Sequence, residues 1–277
     1  MRKKPRKTLD LITSLGSTMA AANVIMQLAS PGVGHGVLES PVERGNTFKH
    51  PIKRARTTGQ YLAVAISGTD DDVAYIREQL HHVHSQVTSK PGADVSYSAN
   101  SPELQLWVAA CLYRYYVDQY EFLYGPLDAE TADAIYADAA RLGTTLNVRP
   151  AMWPADRVAF ETYWDEQVRG IHIDPAVREM LTSLADLSFL TGPLGLSGKA
   201  LHKALGRPQL FMTKGALPPP FREAMGWTWS ARDDQLYHQV LTVYRHTDWV
   251  MARLLKGLND VMLADVRIRR RFGIAVF

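Results

Sequence analysis

Apolar residues recur along most of the chain at the three- and four-residue spacing of an amphipathic α-helix, whereas strand-like alternation is rare. The pattern predicts an all-α protein. We expect its helices near residues 8–30, 52–66, 70–88, 102–123, 129–143, 154–168, 174–188, 197–206, 219–225, 231–258 and 260–271. The helix at 102–123 is apolar on most sides, which is typical of a central helix with others packed around it.

Helix-start and helix-stop signals separate these segments. Ser101-Pro102-Glu103 combines a capping serine, a proline at the first helical position and an acid in the first turn. Pro31-Gly32 is expected to end the first helix, and further Pro and Gly clusters punctuate the second half. No linker-like segment or internal repeat is visible, so we predict one compact multi-helix domain over residues 1–277, with residues 1–8 as a disordered basic tail.

Composition narrows the class of protein. The 277 residues are 46% hydrophobic and 21% charged, with a formal net charge of +3, which is typical of a globular protein. Basic runs lie at both ends, but no nucleic-acid-binding motif accompanies them, so no nucleic-acid partner is expected. A single cysteine, Cys111, excludes an internal disulfide and a multi-thiolate metal site. No window approaches the ~18 uninterrupted apolar residues of a membrane helix, so we expect no transmembrane segment and a cytoplasmic location.

The helix near 70–88 carries three neighbouring histidines, which its geometry distinguishes. At ~100° per residue, Leu80 at zero defines an apolar stripe within ~60°, and this stripe contains Val73, Ile76, Val83 and Val87. On the same wheel His84 falls at ~40°, His81 at ~100° and His82 at ~200°. His84 is therefore expected to point inward and His82 outward.

A buried imidazole needs a partner, which can be a backbone carbonyl, a carboxylate or the iron of a haem. On these residues alone, an ordinary core histidine is the simpler interpretation. A di-iron site is a further alternative, since Glu78 and His81 have the Glu-x-x-His spacing, but no second copy of that motif is present. Upstream, Arg54 and Thr58 lie four residues apart and so share one helix face.

Five segments, in this order, resemble the motifs of a known family. They are residues 22–37, Arg54-x-x-x-Thr58, Val83-His84-x-x-Val87, residues 97–107 and residues 217–226. The chain thereby resembles the haem-dependent oxygenases that include the latex-clearing rubber oxygenases and the catalytic domain of the mycophenolate-pathway oxygenase.

The resemblance implies a helical fold around a buried haem b, with His84 as the proximal ligand of the iron. It places Arg54 and Thr58 beside the haem. Thr57 aligns with a distal-side lysine of the rubber oxygenases, which puts rubber cleavage in doubt, and Glu39 is the candidate catalytic carboxylate. The expected catalytic residues are thus Glu39 and Thr57.

The resulting hypothesis is a haem b-dependent oxidoreductase, oxygenase or peroxidase-like, that uses dioxygen or peroxide on an apolar or aromatic small molecule. Two alternatives stay open. One is a haem-binding sensor or carrier without catalysis, since many relatives have histidines where this chain has Ser30 and Ala109. The other is a helical interaction module without a cofactor.

Overall fold

The computed structural model describes residues 4–277 and is 71% helical. In that range the chain forms eleven α-helices and no strand, with one isolated bridge between Thr88 and Ser98. The predicted all-α, single-domain class is confirmed. The helices are α1 (Ala20–Leu28), α2 (Pro31–Leu38), α3 (Pro51–Ser67), α4 (Asp70–His84), α5 (Pro102–Tyr124), α6 (Ala129–Thr144), α7 (Arg157–Arg169), α8 (Pro175–Ala185), α9 (Gly195–Ala216), α10 (Pro219–Ala224) and α11 (Ala231–Arg271).

Side-chain caps begin several of these helices. At the start of α4, Thr69 accepts from the backbone N–H of Asp72, and the Asp72 carboxylate accepts from the backbone N–H of Thr69. The same reciprocal arrangement joins Ser230 and Asp233 at the start of α11. These caps satisfy backbone donors that have no partner within the first helical turn.

Helix α5 lies at the centre of the fold, as its apolar sequence predicts. It packs against α1, α6 and α11. The residues from Ala109 to Cys111 have no exposed surface. Trp107 stacks on Trp164 at 5.1 Å between ring centroids, so α5 also anchors α7. This core holds in place the ends of α3, α4 and α5, where the candidate site lies.

The N-terminal segment departs from the predicted helix at 8–30. Residues 8–11 form a short 3-10 helix, a turn follows, and α1 begins only at Ala20. The backbone N–H of Thr13 donates to the Gln119 side chain at 3.0 Å and that of Ser14 donates to Asp248. These tertiary bonds replace helical ones, which explains the break. Pro31 begins α2 rather than only ending a helix, because a proline suits the first helical position.

Three further boundaries differ from the prediction. Helix α4 ends at His84 instead of residue 88, because the Ala99 N–H donates to the Val87 carbonyl and draws residues 87–99 into a hairpin. Helix α9 continues through Pro208 to Ala216. The predicted helices at 231–258 and 260–271 form one helix, α11, in which Asn259 is buried and donates to Ser67.

The first three residues of the expected basic tail lie outside the described range. Within it, Lys4 forms ion pairs with Asp128 and Glu130, and Thr8 is buried with its backbone N–H on Asp138. Across the described residues, no helix combines the length and the apolar character needed to cross a bilayer.

Candidate functional site

The candidate site lies where the C-terminal end of α4 meets the start of α5. His84 is the last residue of α4 and is half-buried, whereas His82 on the opposite side of the helix is exposed. Val73 and Ile76 on the same stripe as His84 are buried. The inward orientation predicted for His84 and the outward one predicted for His82 are confirmed.

The His84 imidazole is held by the side-chain amide of Gln105. The Gln105 Nε2 lies 3.2 Å from His84 Nδ1 and also donates to the Ala99 carbonyl at 2.7 Å. The Gln105 Oε1 accepts from the backbone N–H of Asn147. These two backbone partners fix the orientation of the amide, so the NH₂ group faces Nδ1 and Nδ1 accepts. Within residues 4–277, the hydrogen bond to Gln105 engages Nδ1 of His84, and none engages Nε2.

The electrostatic surroundings keep the His84 ring neutral. Burial lowers its pKa to about 4, and electrostatic repulsion from Arg54 and His81 acts in the same direction. At neutral pH the ring is therefore uncharged and carries a lone pair. An uncharged imidazole is the form that binds a metal ion.

Arg54 projects from α3 toward the same region, as its effect on the pKa of His84 indicates. Burial lowers the pKa of Arg54, yet the residue keeps more than a third of its surface accessible to solvent. No described carboxylate pairs with it, so the structure leaves a cation that an anionic ligand can bind.

The two threonines near Arg54 differ in their surroundings. Thr57 is buried, and its hydroxyl donates to the Arg54 carbonyl at 3.1 Å. Thr58 is exposed, one turn from Arg54 on the same face of α3. Of the two, Thr58 has the accessible hydroxyl.

Glu39 belongs to a separate chain of hydrogen bonds beyond the end of α2. Its carboxylate contacts His35 Nδ1 at 2.7 Å and accepts from the Tyr97 hydroxyl at 3.0 Å. His35 Nε2 in turn lies 2.7 Å from Asp174, which His172 also approaches at 3.2 Å. Glu39 hydrogen-bonds neither His84 nor Arg54.

Mutual hydrogen bonds shift the pKa values within this chain. Its two carboxylate partners raise the pKa of His35, and the contact with His35 lowers the pKa values of Glu39 and Asp174. Burial, together with Glu39, raises the pKa of Tyr97. Glu39 is thus held in its ionised form.

Sequence reasoning missed the residues that position these groups. Gln105 lies within the 97–107 motif, but its link to Asn147 spans 42 positions and has no local signal. The link between His35 and Asp174 spans 139 positions. The Glu78–His81 alternative gains no support, since both residues are exposed and the described residues contain no group of three or more His, Cys, Asp or Glu placed to hold a metal ion.

The fold and the site together define an all-α, single-domain protein with a half-buried, uncharged histidine at the junction of α4 and α5. A family model described as "ER-bound oxygenase mpaB/B'/Rubber oxygenase, catalytic domain" matches residues 9–246. The chain therefore belongs to this oxygenase family, as its motifs predict, and its function is oxygenase-like.

Two mycobacterial proteins are similar to the chain over most of its length. They are the uncharacterized proteins Mb2261 of Mycobacterium bovis and Rv2237 of Mycobacterium tuberculosis. Each is 52% identical over 257 residues, which are 92% of this chain and 98% of the relative. No solved structure matches the chain.

Proposed function

We propose that the protein is a haem b-dependent oxidoreductase of the oxygenase class, in which Nε2 of His84 binds the haem iron. The observation that carries the proposal is the state of this one side chain. His84 is uncharged, its Nδ1 is engaged by Gln105 and its Nε2 has no described partner. A proximal histidine of a haem needs an uncharged ring with one nitrogen available.

The surrounding residues fit a haem. Haem b carries two propionate groups, and the Arg54 guanidinium has no carboxylate partner among the described residues. A propionate would supply the missing anion, and the accessible Thr58 hydroxyl one turn away could donate a hydrogen bond to it. Haem needs only one protein ligand on its proximal side, so the absence of a multi-residue metal cluster within residues 4–277 is compatible with it.

In this proposal the haem, when bound, supplies the redox chemistry that activates dioxygen or peroxide. The protein's own side chains hold and orient the His84 ring and the cofactor. Gln105 fixes the plane of the His84 ring, and Arg54 with Thr58 fixes the position of the cofactor. The proposed substrate is an apolar or aromatic small molecule, since helical cores offer few polar contacts.

Glu39 and Thr57 are the proposed catalytic groups on the basis of family resemblance. His35 and Tyr97 hold the Glu39 carboxylate ionised, so it can accept a proton, as a weaker base than an ordinary glutamate. The Thr57 hydroxyl already donates to Arg54, so it can accept a hydrogen bond but has no free proton to give. The cytoplasmic location and the absence of a nucleic-acid partner stay predictions.

The test is an absorption spectrum of the protein produced with ample haem, compared with His84→Ala and with His82→Ala as the matched control. We expect a Soret band in the parent and in His82→Ala, and its loss in His84→Ala, because only His84 faces inward. Circular dichroism verifies that both variants are folded. An unchanged Soret band in His84→Ala would contradict the proposed ligand, and no Soret band in the parent would favour a helical interaction module.

A further inference from the structure

Helix α11 carries a line of exposed apolar residues on the side that faces away from the protein. At ~100° per residue, these side chains fall within an arc of ~40°. Each is between 42% and 63% exposed, and together they are Leu236, Val243, Val250, Leu254, Val261 and Ile268. We call this set the α11 stripe.

The α11 stripe is not needed for the core of the domain. The opposite side of α11 packs against α3, α5 and α9 through a separate set of buried residues, namely Tyr237, Leu241, Asp248, Ala252, Asn259, Leu263 and Val266. An exposed apolar patch that continues along a whole helix is unusual on a monomer and is typical of an interaction surface. The family model ends at residue 246, so more than half of the α11 stripe lies beyond the matched region.

The sequence separations between members of the α11 stripe are the same when read from either end of the helix. Successive members are separated by seven, seven, four, seven and seven residues, so the pattern is symmetric about Ala252. If a second copy of α11 lies antiparallel across the stripe, Val250 faces Leu254, Val243 faces Val261 and Leu236 faces Ile268. A twofold interface requires this self-complementarity, because each contact occurs twice with the partners exchanged.

The charges at the two ends of α11 favour the same orientation. The first turn contains Asp233 and Asp234, and the last turn contains Arg269, Arg270 and Arg271. An antiparallel pair brings Asp233 of one copy, at the edge of its stripe, to the end where Arg269 of the other lies, and it opposes the two helix dipoles. A parallel pair would place like charges together at both ends.

The α11 stripe supplies more than half of the surface that a stable dimer buries on each partner. The α11 stripe is about 48 Å long and, at a helix diameter of about 10 Å, covers roughly 500 Å² before flanking side chains are added. Met251 and Leu258, both more than 40% exposed, flank it. A standard interface buries about 800 Å² on each partner.

From these observations we propose that the protein forms a homodimer in which the α11 stripes of two copies pack antiparallel about a twofold axis that crosses the stripe midway between Val250 and Leu254. This proposal does not depend on the haem. It concerns a surface that faces away from the domain core, whereas His84 lies at the junction of α4 and α5.

The first test is the mass of the protein in solution by analytical ultracentrifugation over a range of concentrations. We expect a dimer, and we expect Val250→Glu to raise its dissociation constant about tenfold or more, because a charge is placed at the centre of the interface. Val158→Glu is the matched control, since Val158 is 77% exposed on α7 and is expected to leave the dimer intact. A parent that stays monomeric at high micromolar concentration would overturn the proposal.

The second test measures the orientation of the two helices with nitroxide spin labels. Cys111 is buried and is not expected to react. In an antiparallel pair, labels at Met251→Cys lie within about 20 Å of each other, whereas labels at Gln239→Cys are separated by about 39 Å along the axis. Short distances at both positions would indicate a parallel pair and overturn the arrangement. A monomer that binds anionic phospholipid vesicles through α11 would assign the stripe to a membrane surface instead.

Discussion

At the scale of single residues, the candidate site consists of two groups that influence each other. The charge of Arg54 helps to lower the pKa of His84, and no described carboxylate neutralises that charge. The charge of Arg54 disfavours a proton on His84. Because that charge has no described carboxylate partner, it also favours an anion near Arg54.

Arg54→Ala tests this coupling in two ways. In the absence of haem, the pKa of His84 is expected to rise from about 4 toward its ordinary value, because one of the charges that lower it is removed. NMR titration of the imidazole measures that shift. In the loaded protein, haem transfer to an excess of an apo-globin is expected to become several-fold faster, with Arg54→Lys closer to the parent. Unchanged values in both experiments would contradict a position of Arg54 beside the ring and the propionate.

At the scale of helices, close packing between α9 and α11 depends on one glycine. A Cβ atom placed on Gly215 would lie 2.4 Å from the ring of Tyr237, which is itself buried. Helix α11 cannot move away from α9 without disturbing a second contact, since Tyr237 also packs edge-on against Phe122 of α5. The glycine therefore sets the distance between the two helices.

Gly215→Ala is expected to lower the free energy of unfolding by about 1–3 kcal/mol, because the added methyl group overpacks the α9–α11 contact. The matched control is Gly257→Ala within α11, where an added Cβ meets nothing within 4 Å. That variant is expected to gain about 0.5–1 kcal/mol from the better helix propensity of alanine. Urea denaturation measures both, and a stabilised Gly215→Ala would show that the contact is looser than the structure indicates.

At the scale of the whole molecule, sequence patterns predict the structural features that depend on residues close together in the chain. The apolar helix α5 and the cap at Ser101 are local, and the structure has both where the sequence places them. The inward side of His84 follows from helical geometry in the same way. The unbroken α11 and the hairpin after His84 depend on distant contacts, such as the bond from Asn259 to Ser67, and have no local signature.

The residues that hold the candidate site were beyond prediction for the same reason. Nothing near Gln105 in the sequence indicates that Asn147 will fix its amide, or that Asp174 will reach His35. Family resemblance supplies candidate ligands, because it compares motifs in order. It does not supply the hydrogen bonds that orient them, which come from the packing of helices far apart in the chain.

The most extended network of such hydrogen bonds lies around His35 and joins three parts of the chain. Its ring connects Glu39 after α2 with Asp174 before α8, and Glu39 in turn accepts from Tyr97 in the hairpin. The charged groups facing the cluster are completed by His172 and, at longer range, Lys90. The ion pairs require a protonated His35 and two ionised carboxylates, so their contribution to stability depends on pH.

The direction of this dependence follows from the pKa shifts. The pKa of His35 is raised in the folded protein, so its contribution is complete below its ordinary value of 6.5 and is lost as the pH rises through the folded value. The pKa values of Glu39 and Asp174 are lowered, so theirs is complete above their ordinary values and is lost on acidification. His35→Gln is therefore expected to lower the urea midpoint more at pH 5.5 than at pH 8.5, while the exposed control His82→Gln changes it little at either pH. An equal loss at both pH values would mean that His35 stabilises the junction by packing and neutral hydrogen bonds, not by its charge.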